Sequence, residues 1–172
     1  MKNLDSTNYL ENKKDFQEKE DLENKITTRI ATEADTDFAR KTHHAAYHDV
    51  IERQFGSFDE KLQDDFFSKS WKPKTFEILL RGDKEAGYCS IEYTPNHIFI
   101  HELVLLPQFQ GKGIGSHVLQ KVIEESKITS IPAKLQVLKR NQAQHLYRKM
   151  GFKDTGQTDT HFEMEFRPTN TE

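Results

Sequence analysis

The sequence predicts a mixed α/β domain, an α+β mixed sheet of parallel and antiparallel strands with helices on its faces. Three observations carry that expectation. Strand-like and helix-like patterns follow one another in the order β-α-α-β-β-β-α-β-α-β-β. The most apolar strand ends in Leu103-Val104-Leu105-Leu106 and runs through a glycine-rich turn into an amphipathic helix. Finally, 172 residues with 12 Phe, 5 Tyr and 1 Trp supply the core of one domain and are cramped for two.

Ile26 to Ala31 reads as the first strand. Thr32-Glu33-Ala34-Asp35 has the Ser/Thr-x-x-acid form that opens a helix, which then runs to about Phe55 and ends at Gly56. Ser57-Phe58-Asp59-Glu60 repeats the form, and Leu62, Phe66, Phe67 and Trp71 follow at near-helical spacing as the apolar stripe of a second helix. Phe76–Leu80 and Ala86–Thr94 are strand-like and joined by Gly82-Asp83, which predicts an antiparallel hairpin. Pro95-Asn96 turns into Ile98–Leu106, whose apolar end marks it as a central strand buried on both faces. Ile114, Val118, Leu119, Val122 and Ile123 form one helical stripe, and Lys134–Leu138 is a short strand after Pro132. Asn141–Met150 reads as a helix closed by Gly151, and strands from Phe152 and over Thr160–Phe166 complete the order.

Residues 1–25 dilute the composition, with 5 Lys and 7 Asp or Glu against six apolar side chains. They are expected to be a charged amino-terminal extension, disordered or a loosely docked helix; residues 26–167 form the domain and 168–172 a short tail. The net charge of −3 provides no global positive field, which argues against nucleic acid as a partner. The longest apolar run has four residues, far short of the roughly 20 of a membrane span, and nothing reads as a secretion signal. A cytoplasmic protein with no membrane partner is expected. Cys89 is the only cysteine, so internal disulfides and cysteine-clustered zinc are excluded; its alternating strand marks it as core rather than nucleophile.

The stretch most informative about chemistry is the turn Gln110-Gly111-Lys112-Gly113-Ile114-Gly115-Ser116. Glycines leave room for a ligand against the backbone, and freed amides at a helix start favour anions. Lys112 and the Ser116 hydroxyl could add a charge and a donor. A P-loop fails because Lys112 sits between glycines, and a dinucleotide fingerprint fails because Ser116 takes the third glycine's place. The residues alone leave two readings, a pyrophosphate cradle or a tight strand-to-helix turn.

Gln110-x-x-Gly113-x-Gly115 after Leu105-Leu106-Pro107 resembles the acetyl-CoA signature of the GNAT superfamily of N-acetyltransferases. Val137 to Phe152, with Asn141, Ala143, Leu146-Tyr147 and Gly151-Phe152, is similar to a second family segment, and Thr28 to Asp35 to its opening strand-helix junction. The resemblance spans about residues 26–166 and implies the GNAT acyl-CoA N-acyltransferase fold with acetyl-CoA as cosubstrate and no metal. By that resemblance, Leu103, Val104 and Leu105 hold the pantetheine arm through their backbone. Gly111, Lys112, Gly113, Ile114, Gly115 and Ser116 take the pyrophosphate, with Gln110 in place of the commoner Arg. Asn141 lies near the arm, although its spacing of six to Tyr147 departs from the seven of many members.

The implied reaction moves an acetyl group from sulfur to a primary amine by direct attack in a ternary complex. Tyr147 is the expected acid for the leaving thiolate, with packing against Leu146 and Phe152 as the alternative. Glu102 is the expected base, direct or through water, with an ordinary solvated charge as the alternative. His101 should point to the opposite face of a regular strand, and His161 is a second candidate base. Gln136 stands where members acting on ribosomal-protein amino termini often carry Glu. His44 and His48 at i and i+4 suit a metal poorly without a second cluster; they could instead line the acceptor pocket. Lys139, Arg140, Arg148 and Lys149 form a solvated face or touch a CoA phosphate. The expected partner is a small-molecule or peptide amine shaped by the helices between Thr32 and Trp71, with a homodimer as the open alternative to a monomer. A CoA-binding sensor or scaffold without turnover is the rival function.

Overall fold

The computed structural model describes residues 6–169. Residues 1–5 of the expected extension and 170–172 of the expected tail lie outside that range. The elements are α1 (Ser6–Asn24), β1 (Ile26–Ile30), α2 (Thr36–Phe55), α3 (Glu60–Ser70), β2 (Glu77–Arg81), β3 (Lys84–Tyr93), β4 (Ile98–Leu105), α4 (Ile114–Thr129), β5 (Ala133–Leu138), α5 (Ala143–Lys149), β6 (Lys153–Gln157) and β7 (His161–Phe166). From β1 onward this is the expected order. Of the two readings left open for the extension, α1 is the helix. It meets the sheet where Gly82 N donates to Lys25 O (2.8 Å).

The starts of α2 and α3 differ from expectation. Thr32 does cap, its amide donating to Asp35 Oδ2 (2.7 Å), but the capped turn Glu33–Asp35 is a 3-10 turn and α2 proper starts after it. Asp35 also receives two N–H bonds from Arg29 (2.7 and 2.9 Å), which hold its carboxyl well below the usual range. At α3 the cap is Asp59, accepting from Leu62 N (3.0 Å), rather than Ser57. The expected stripe is kept only in part: Gln63 and Phe67 face inward, while Leu62 and Phe66 are 48% and 53% exposed.

The seven strands lie in the order β1-β2-β3-β4-β5-β7-β6, so β4 is literally central. All pairings are antiparallel except β4 with β5. Alternating residues serve two cores. Tyr88 and Val104 pack with Ala39, Phe67 and Ile78 under α2 and α3, whereas Cys89 and Leu103 pack with Ile114 and Val118 of α4. The α4 stripe from Ile114 to Ile123 is buried as expected, and α4 and α5 cover Ile98, Ile100, Leu135 and Val137.

Two irregularities make the site. β4 and β5 pair only over Ile98–Ile100 with Ala133–Leu135, and beyond Ile100 the two parallel strands separate. The end of β4 is therefore not buried on both faces: Leu103 and Leu105 stay partly exposed. The register of β3 on β4 also slips, Ser90 opposing Glu102 and Ile91 opposing Ile100, which leaves His101 as the extra residue of a bulge.

Candidate active site

The split between β4 and β5 opens onto two adjoining cavities, and a third meets the second at His101 and Glu102. The first, about 690 Å³, runs from Leu103–Leu105 past Gln110, Gly111, Gly113, Gly115 and Ser116 to Asn141 and Tyr147. Among the described residues, β4 has no strand partner on its β5 side beyond Ile100, so an extended ligand can pair with that edge. The glycines serve different ends. Gly111 and Gly113 have φ of 69° and 83°, the left-handed region, with open space where a Cβ would project. Gly115 is inside α4, where a Cβ would stand 3.2 Å from Leu146 Cδ2, so its lack of a side chain lets α5 approach. The first helical bond beyond this turn is His117 N to Gly113 O (3.0 Å). Ahead of it, the amides of Ile114, Gly115 and Ser116 have no acceptor within the helix and are free to meet an anion.

Some side chains in the turn point elsewhere. Gln110 Nε2 donates to Leu105 O (3.0 Å) and so staples the turn to β4. Lys112 Nζ lies 5.9 Å from the Phe109 ring centre and lines a separate cavity beside α1. The Ile114 side chain is fully buried among Leu79, Ala86 and Cys89, leaving only its backbone for a ligand. The cation in the first cavity is instead Arg53 of α2. Lys139 and Arg148 lie over Phe162, and Arg148 pairs with Asp154 (3.1 Å).

A second cavity of about 260 Å³ shares Tyr47, Leu103, Asn141 and Tyr147 with the first and adds His101, Glu102, Gln136 and His161. Asn141 Oδ1 accepts from Ala143 N (2.9 Å), fixing the start of α5, which begins two residues later than expected. Tyr147 is 8% exposed, and burial with the nearby Glu102 charge pushes its phenol up to about 12. Glu102 is partly buried; desolvation raises its carboxyl to about 7, against the opposing effects of a Tyr47 hydrogen bond and His101.

Tyr47 is the residue sequence reasoning missed. Its hydroxyl donates to Glu102 Oε2 at 3.3 Å, and its own pKa is pushed well up, first by the Glu102 charge. Its signal was present in α2, where Ala39, His43 and Val50 mark the inward row at spacings of three and four residues and Tyr47 falls on it. His44 and His48 are not in the cavities. Both pack on Phe58, and His44 Nε2 faces Asp64 Oδ1 at 3.0 Å.

The bulge also undoes the expected alternation of His101 and Glu102. Both line the second cavity and a third of about 890 Å³, which extends to Lys69, Lys72 and Lys74. His101 Nε2 reaches Glu92 (3.0 Å), and His161 lies by the second cavity with its Nδ1 2.8 Å from Thr160 Oγ1. Cys89 is buried, and burial raises its thiol to about 12, as suits a core residue.

A parallel strand pair that splits, a glycine turn at a helix start and a seven-stranded mixed sheet define the fold. Residues 72–154, from the turn before β2 into β6, match the family model described as Acetyltransferase (GNAT) domain. The matched segment, just under half of the chain, runs from β2 through α5 and contains the glycine turn, Glu102 and Tyr147. Among solved structures it is similar to a PaiA N-acetyltransferase from Thermoplasma acidophilum in complex with coenzyme A, at 17% identity and a TM-score of 0.66, covering 83% of this chain and 99% of that one. It is also similar to the ribosomal-protein-S18-alanine N-acetyltransferase of Escherichia coli (18%, TM-score 0.60, 86% and 97% covered). A Staphylococcus aureus N-acetyltransferase is a third (16%, TM-score 0.61, 81% and 100% covered). No curated protein sequence matches the chain.

Proposed function

We propose that the protein transfers an acetyl group from acetyl-CoA to a primary amine in a ternary complex. The observation that carries the reading is the junction of the first two cavities at Tyr47 and Tyr147, with Glu102 bonded to Tyr47 on the second. The pantetheine arm lies along Leu103–Leu105 and the pyrophosphate on the amides from Gly111 to Ser116. The coenzyme A bound to the Thermoplasma relative supports the choice of cosubstrate.

The amine nitrogen attacks the thioester carbon; the C–N bond forms and the C–S bond breaks. Glu102, with a carboxyl near 7, takes the amine proton directly or through one water. Tyr147 gives its proton to the leaving sulfur. Burial makes this phenol a weaker acid than a free one, but the same dry cleft raises a thiolate's proton affinity, so the two remain matched. Tyr47 is a positioning residue: its hydroxyl holds Glu102 toward the second cavity and favours the ionised form.

Acetyl-CoA should therefore bind to the protein in isothermal titration, and absence of binding would remove the reading. Gly113→Asp should abolish that binding, because it adds a negative charge at the anion site and a side chain at a φ of 83°. Normal affinity in a folded variant would show that the phosphates sit elsewhere. For Tyr47→Phe, losing the donor to Glu102 should move the acidic limb of kcat/KM to higher pH; an unmoved limb would deny Tyr47 its role.

A further inference from the structure

From the third cavity we infer that the acceptor is a primary amine carrying an anionic group at its far end, a carboxylate-bearing small molecule or an acidic peptide. The inference rests on the transferase reading and names its substrate class. His101 and Glu102 join this cavity to the second one, so an acceptor whose nitrogen reaches the thioester passes them with its remainder in the third.

That remainder meets an asymmetric wall. Lys69 closes α3, and Lys72 and Lys74 follow on the loop to β2; all three are exposed and line the cavity. Among the described residues none of them pairs with a carboxylate. The cavity's other two carboxylates lie on the strands, Glu92 facing His101 (3.0 Å) and Glu77 accepting from Thr28 Oγ1 (3.3 Å). Glu102 sits where the nitrogen arrives. The lysines gather on one rim, at the end of α3 and the loop after it, while the carboxylates stand on the strands, so an anionic end is drawn to the rim as the amine meets Glu102. The volume of about 890 Å³ admits several residues of a peptide as readily as a compact molecule.

The test compares initial rates for matched acceptors: a short alkylamine, the same chain ending in a carboxylate, the same chain ending in a second amine, and peptides with acidic or basic residues after the amino terminus. Wild type should favour the anionic member of a set by about tenfold in kcat/KM at about 10 mM salt, and much less at about 1 M. In the combined variant Lys69→Glu, Lys72→Glu, Lys74→Glu, KM for anionic acceptors should rise at least tenfold while the neutral amine changes less than twofold. Preference for the small carboxylate over the acidic peptide, or the reverse, separates the two sources. Equal rates across a set, preference for the cationic member, or equal losses for neutral and anionic acceptors would overturn the inference while leaving the transferase intact. No turnover of any acceptor by a protein that binds acetyl-CoA would overturn both.

Discussion

Glu102→Gln should lower kcat/KM by about 100-fold or more, the range expected when a positioned base is removed. The exchange is nearly isosteric and keeps an oxygen to accept from the Tyr47 hydroxyl, so the cleft should stay in shape. It removes a carboxyl whose proton affinity burial raises to about 7. The sign of the pH dependence follows. Burial disfavours the charged carboxylate, so the protein gains base as pH rises through 7, and wild-type kcat/KM should climb with an acidic limb there. The Gln variant should lack that limb and should regain rate only where the free amine of the acceptor becomes abundant. A pH profile of both proteins on one acceptor checks this, and a limb retained in the variant would assign the titration to another group.

Tyr147→Phe has the second largest expected effect. The ring packs among Ile100, Leu135, Val137 and Phe152, and those contacts survive the loss of one oxygen. Stability and acetyl-CoA affinity should therefore change little, while kcat falls by about 100-fold through loss of the proton delivered to sulfur. The split between an unchanged Kd and a reduced kcat is what separates an acid from a packing residue. Pre-steady-state turnover against calorimetric Kd measures it; an unchanged rate would return Tyr147 to the core.

The order of elements was legible because each carries a local signal: the apolar stripe from Ile114 to Ile123, the Gly56 and Gly151 stops, the run into Leu106. The backbone half of the site was legible for the same reason, since Gly111 and Gly113 mark a turn whose φ values only glycine adopts freely. What escaped depends on register and on contacts distant in sequence. Asp59 rather than Ser57 caps α3, and packing against α2 and the sheet takes Gln63 and Phe67 inward and leaves Leu62 and Phe66 outside. The bulge at His101 arises from pairing with β3, and no local pattern in Ile98–Leu105 announces it. Tyr47 lies 55 residues from Glu102, and the two meet only because α2 crosses the end of β4. Side chains of the turn were similarly opaque, with Gln110 stapled to β4, Lys112 on Phe109 and Arg53 arriving from α2.

The most direct test of the central claim is release of CoA thiol from acetyl-CoA by the purified protein across a panel of primary amines. Release should depend on the amine, with one thiol for each acetylated amine, and should be fastest with acceptors bearing a distal anion. Binding of acetyl-CoA with no thiol released for any amine would contradict it and leave a CoA-binding module in its place.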